Sequence, residues 1–156
     1  MKTFLSLSRA ALMLLLLITF VGCSKDDDPE PENEESNIPP EFRGRNVEVN
    51  PKTVYVSSKS ISVSVWDNGN LVDGDIVSIY VNGERVINEH ELTRTKHTVD
   101  VDLKYKGYNY ILLYAHNEGT SSPNTCAVEI EDDKGKQTVV LNAKLTTNAA
   151  ANVVVE

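Results

Sequence analysis

Beyond residue 42, apolar and polar side chains alternate in short runs, the spacing of strands that bury one face. Asn46-Val47-Glu48-Val49 and Thr53-Val54-Tyr55-Val56 open the series, with a turn at Asn50-Pro51 between them. Ser60 to Val65 then sets Ile61, Val63 and Val65 on one face and three serines on the other. Val77, Ile79 and Val81 alternate with Ser78 and Tyr80, and Asn82-Gly83 follows. Both residues of that pair tolerate the positive φ of a type I′ turn, so it predicts a hairpin returning through Arg85-Val86-Ile87. Val99, Val101 and Leu103 continue the pattern, as do Cys126, Val128 and Ile130. Asp132-Asp133-Lys134-Gly135 reads as a turn into Gln137 to Leu141, and Asn152 to Val155 closes the chain. Tyr110-Ile111-Leu112-Leu113-Tyr114-Ala115 breaks the alternation, being apolar on both faces. That fits a central strand, or one whose outer face is covered. About eight to ten short strands at regular spacing, with no amphipathic helix, predict an all-β sandwich or barrel.

The first part of the chain has another pattern. Lys2 and Arg9 flank a short basic start, and Ala10 to Val21 is almost wholly apolar. Such a run is short for a membrane span and fits the core of an export signal. Acidic residues follow it directly. Asp26 to Pro40 reads DDDPEPENEESNIPP, in which Ile38 is the single large apolar side chain. A segment of this composition buries too little surface to offset its ordering entropy. Self-repulsion and proline keep it extended, with a reach of roughly 50 Å at about 3.1 Å per residue. The expected organisation is a signal peptide over 1–22, an acidic tether over 23–41 and one β domain over 42–156, whose length suffices for a core without metals or disulfides.

Charge sharpens these divisions. The net charge is -8, yet residues 42–156 carry 12 Lys/Arg against 15 Asp/Glu. The domain is close to neutral and has no basic stripe, which argues against a nucleic-acid partner. Of the two cysteines, Cys126 falls on the apolar side of its strand and reads as a small buried hydrophobe.

Phe20-Val21-Gly22-Cys23 resembles a bacterial lipobox, with Phe20 where leucine is usual. The resemblance implies that Cys23 is diacylglycerated and becomes the first residue after cleavage. Two or three acyl chains would then hold the protein on a membrane, since each buried methylene contributes about 0.8 kcal/mol. Ser24-Lys25-Asp26-Asp27-Asp28 resembles the lysine-plus-acidic export signal of Bacteroidota surface lipoproteins, which implies display on the outer face of the outer membrane. Asp75 to Glu84 resembles the third strand and hairpin of bacterial immunoglobulin-like domains, and Leu103 to Ile111 their next corner. The implied fold is an immunoglobulin-like antiparallel β-sandwich. Trp66 to Gly69, Asp73 to Asp75, Asn82-Gly83, Leu113 to Gly119 and Pro123 to Thr125 together resemble an uncharacterised family of Bacteroidota secreted and surface proteins. That likeness implies a fold and a location, and no activity.

In such a sandwich the loops Asp67 to Asp75 and His116 to Asn124 share one end. The candidate ligand-binding residues there are Trp66, Asp67, Asp73, Asp75, His116, Asn117 and Glu118. Oxygen-rich loops of this kind can hold calcium, but Gly69 and Leu71 occupy positions where an EF-hand needs oxygen ligands. Turn chemistry also explains the Asp, Asn and Gly content, so no metal or other cofactor is assigned. Tyr55, Trp66, Tyr80, Tyr105, Tyr108, Tyr110 and Tyr114 are candidates for a sugar-stacking platform. His90, His97 and His116 lack zinc spacing, and no nucleophile elbow or phosphate-cradling loop is present. The expectation is a non-enzymatic, lipid-anchored surface protein whose sandwich serves as an interaction or accessory module. A glycan-binding module of a polysaccharide-uptake system and a structural periplasmic lipoprotein are the alternatives.

Overall fold

The computed structural model describes residues 31–156; the expected signal peptide and Cys23 lie outside them. Two sheets pack face to face as an immunoglobulin-like β-sandwich. The larger runs β2 (Glu41–Phe42), β3 (Arg45–Val49), β12 (Thr147–Val155), β9 (Lys106–Ala115), β6 (Ile76–Val81) and β7 (Glu84–Glu91). β1 (Glu32–Asn33) pairs with β9, and β4 (Val54–Val56) pairs with β12. The smaller runs β11 (Gly135–Ala143), β10 (Asn124–Asp132), β5 (Ser60–Asp67) and β8 (His97–Asp102). The larger sheet is antiparallel from β12 through β9 and β6 to β7, while β3 and β4 join β12, and β1 joins β9, in parallel. The β10–β11 hairpin is inserted between β9 and the last strand and lies along β5.

The alternation read from the sequence fills the space between the sheets. Ile61, Val63 and Val65 meet Val77, Ile79, Ile111, Leu113, Val128, Ile130 and Leu141 in one apolar cluster. β9 is apolar on both faces because both are covered. Ile111, Leu113 and Ala115 face the core, while Tyr110 and Leu112 join Tyr80 and Ala150 in a second cluster. Ile38, Phe42, Val47 and Tyr114 pack on that second cluster. The Phe42 ring meets Tyr80 edge-on at 4.8 Å, and the Arg45 guanidinium lies 4.0 Å from the centre of the Tyr114 ring.

The segment expected to stay unpacked through residue 41 therefore lies on the sandwich from Pro31 onward. Lys106 N donates to the Pro31 carbonyl at 3.1 Å, and Glu32 and Asn33 pair in parallel with Lys106 and Gly107. Gly107 sits at φ 78°, and a Cβ there would collide with the Asn33 carbonyl. Composition misled because the arm's two apolar anchors, Ile38 and Phe42, follow a long run rich in acids and proline. The last strand also begins earlier than the alternation shows. Thr147 to Ala151 pairs with β9 and β3 although alanine and asparagine are poor strand formers.

One corner ties the hairpin to the central strand. Asn82 at φ 49° and Gly83 at φ 85° form the expected turn. Asn82 Nδ2 donates to Asn109 Oδ1 at 2.7 Å, and Tyr110 N donates to Asn82 Oδ1 at 3.1 Å. Asn109 is fully buried and holds both the N–H and the carbonyl of Tyr105. Asn109→Ala strips partners from several buried groups at once, so it should cost about 2–4 kcal/mol in urea unfolding. A loss below about 0.5 kcal/mol, the level of an ordinary surface change, would remove this corner from the account.

Candidate functional site

Register brings the two long loops to the same end. Val77 pairs with Ala115 and Asp67 pairs with Cys126, so the turns after β5 and β9 leave the sandwich together. Asn117 clamps them, its Oδ1 accepting from Ile76 N at 2.6 Å and its Nδ2 donating to the Gly74 carbonyl at 2.7 Å. Thr120 donates through its backbone N–H to Asp73 Oδ2 at 2.7 Å. The approach is close because residue 119 is glycine; a Cβ there would lie 2.6 Å from Asp73 Cγ. Between the loops lies a cleft of about 360 Å3, lined in part by Asn70, Asp73, Asp75 and Ser122.

Asp67 continues the inward side of β5, so its carboxylate enters the end of the core. Asp75 immediately precedes β6, and Asp73 stands two residues before it. Each offers an oxygen, and these oxygens lie within 4.8 Å of one another. Asp67 Oδ1 accepts from Gly69 N at 2.7 Å and lies 3.4 Å from Arg94 Nη1, while Oδ2 is buried without a partner. Burial, and then the charges of Asp73 and Asp67, push the Asp75 carboxyl up to about 6. Asp73 shifts the other way because the Thr120 N–H stabilises its charged form. This arrangement can hold a proton on Asp75 at mild acidity, or a hard cation among the three carboxylates.

The other candidates do not join the aspartates. Trp66 alternates with Asp67 and faces out of the opposite side of β5, with Lys96 Nζ 4.5 Å from its ring centre. Lys96 also pairs with Glu129 at 2.6 Å, so a salt bridge occupies the indole face expected to lie at the loop tip. His116 shares hydrogen with Ser78 Oγ at 2.8 Å and packs on Tyr114, outside the larger sheet. Burial is the first cause of its lowered pKa. Asn117 is the clamp described above. Glu118 braces the loop, accepting from Ser122 Oγ at 3.0 Å and Leu145 N at 3.1 Å.

Phe42, Tyr80, Tyr114 and His116 follow one another edge-on, but Arg43 and Arg45 lie over Tyr80 and Tyr114, so the series offers no open stacking face. Tyr80 and Tyr110 are buried, Tyr114 lies under Arg45, and Tyr55 is half exposed elsewhere. His90 and His97, seven residues apart on consecutive strands, stack at 4.2 Å where β7 meets β8. Cys126 is fully buried, and burial pushes its thiol pKa far up, which fits the reading as a small hydrophobe.

Sequence reasoning missed Arg94, Gly119 and Thr120, which hold the aspartates in place. Only the parity of β5 was open to inspection: it sets Asp67 inside and therefore Trp66 outside. No protein-family model, no curated protein and no solved structure matches the chain.

Asp75 generates a pH signature. Its folded pKa lies above that of an unfolded aspartate, so the folded state holds the extra proton in between. Stability from this group is full below about pH 4, falls as pH rises to about 6, and is level beyond. His90 and His116, with lowered pKa values, act oppositely as pH drops below their ordinary range. The measurement is therefore the difference between the natural chain and Asp75→Asn, by urea unfolding in chelator. That difference should grow in favour of the asparagine variant from pH 4 to pH 6; a constant difference would mean Asp75 titrates normally.

Proposed function

We propose that this chain is a lipid-anchored, non-enzymatic surface protein whose β-sandwich presents its aspartate-lined loop end to a partner. The observation that carries the reading is the polarity of the domain. The chain enters at Pro31, hydrogen-bonded beside the first residue of β9, whereas the loop after β9 belongs to the aspartate cleft. The ten residues of β9 separate the two, about 30 Å at strand rise. An anchor at Cys23 would then hold one end near the membrane and turn the loop end away from it. Eight residue steps link Cys23 to Pro31, a span of at most about 29 Å. That is a shorter leash than an unpacked tether through residue 41 would be.

The glycan-binding alternative has less to support it, because Trp66, Tyr80, Tyr110 and Tyr114 are occupied by cations or by packing. Among the described residues no helix is long and apolar enough to cross a membrane.

Detergent phase separation and protease shaving of intact cells test the proposal. The natural chain should enter the detergent phase, and Cys23→Ala should remain aqueous. Protease should remove the sandwich from unbroken cells. A chain protected until the outer membrane is permeabilised would instead be the inward-facing structural lipoprotein.

A further inference from the structure

We propose that Asp67, Asp73 and Asp75 bind a calcium ion that joins the two loops at this end of the sandwich. The proposal stands apart from membrane anchoring and from the identity of any partner. It begins with distance. Oxygens bound to one calcium lie about 2.4 Å from it, so no two can be more than about 4.8 Å apart. One oxygen from each of the three aspartates meets that condition, with all three within 4.8 Å of one another.

A second observation points to a missing partner. Asp67 is 1% exposed and Asp75 3%. Asp67 Oδ2 and Asp75 Oδ1 are both buried with no hydrogen-bond donor. Buried acceptors are nearly always satisfied, and charged ones most of all. Asn124, fully buried, precedes Thr125, whose backbone N–H faces Asp75, and its Oδ1 and Nδ2 are unpartnered too. Two orphaned carboxylate oxygens, on Asp67 and Asp75, thus belong to one three-aspartate group.

Charge gives the valence. Three carboxylates share one guanidinium, that of Arg94 beside Asp67. Two negative charges remain uncompensated, which one divalent cation would balance.

Ligand chemistry gives the element. The donors are carboxylate oxygens, which suit hard cations and not zinc or copper. Neither nearby soft donor is available, since the Cys126 thiol donates to the Ala127 carbonyl and His116 faces Ser78. The cleft wall adds Asn70, Ser121 and Ser122 on irregular backbone, and the open side admits water. Such a flexible, oxygen-rich set matches the variable coordination of calcium better than the strict octahedron of magnesium. With three carboxylates and an open side that admits water, the site belongs among the weaker calcium sites, about 0.1–1 mM.

The test uses the full chain stripped with chelator near neutral pH. Terbium, which takes calcium sites, is added while the single tryptophan is excited. Trp66 is the residue next to Asp67, so bound terbium should luminesce, and calcium should displace it. Calcium at about 10 mM should raise Tm by about 4 °C, and magnesium at the same concentration by less. Asp75→Asn removes a buried charge, so without calcium it should melt no lower than the natural chain. It should also lose both the terbium signal and the calcium response. Asp100→Asn, on the exposed outer side of β8, should keep them. Unchanged melting at this calcium concentration, or terbium emission that survives Asp75→Asn, would overturn the proposal and leave a proton as what neutralises the cluster.

Discussion

The outer side of β9 cannot be left to water. Tyr110 and Leu112 stand there beside Tyr80 and Ala150, with a full core already on the inner side. Burial of an apolar side chain is worth about 1.5–3 kcal/mol, so a strand with no polar face demands a cover. The N-terminal arm supplies it with Ile38 and Phe42, and Val47 of β3 completes it. From that cover follows the rest of the arrangement. The arm is held against the start of β9, β3 and β4 are delivered in parallel to β12, and the chain enters at one chosen end. The aspartate cleft then falls at the other.

The two ends differ in what they do with charge. At the entry end, Asn109 and Asn82 satisfy backbone groups with neutral donors and acceptors. At the loop end, carboxylates are drawn under the rim of the core by the inward parity of β5 and by the loop that closes across Gly119. Burial first, and then the like charges of Asp73 and Asp67, push the Asp75 carboxyl up to about 6. Such a site is destabilising unless something positive arrives. The sandwich is closed and polar-paired at one end, and open and electrostatically unfinished at the other.

Much of this was legible in the residues, and the reasons are particular. Val63, Val65, Ile79 and Val128 alternate because their strands bury one face, so period two located β5, β6, β8 and β10. Asn82-Gly83 announced its turn through backbone conformation alone. The cleft aspartates were visible as loop residues, but their convergence depended on Arg94, Thr120 and Gly119, which are remote in sequence and unremarkable in type. The start of β12 was hidden because Ala149 to Ala151 is selected for fit between covered faces and not for strand propensity. The packing of residues 31–41 was hidden by their acidity. Its one signal was the doubly apolar Tyr110 to Ala115, which required a cover, with Ile38 and Phe42 as the nearest unclaimed apolar side chains.

Urea unfolding of the double variant Ile38→Ser, Phe42→Ser tests that dependence most directly. If the arm is part of the fold, losing its two apolar anchors and the edge contact with Tyr80 should lower the unfolding free energy by about 2–4 kcal/mol. Stability equal to that of the natural chain would contradict the account, because the outer side of β9 would then stand without the cover on which the arrangement of both ends rests.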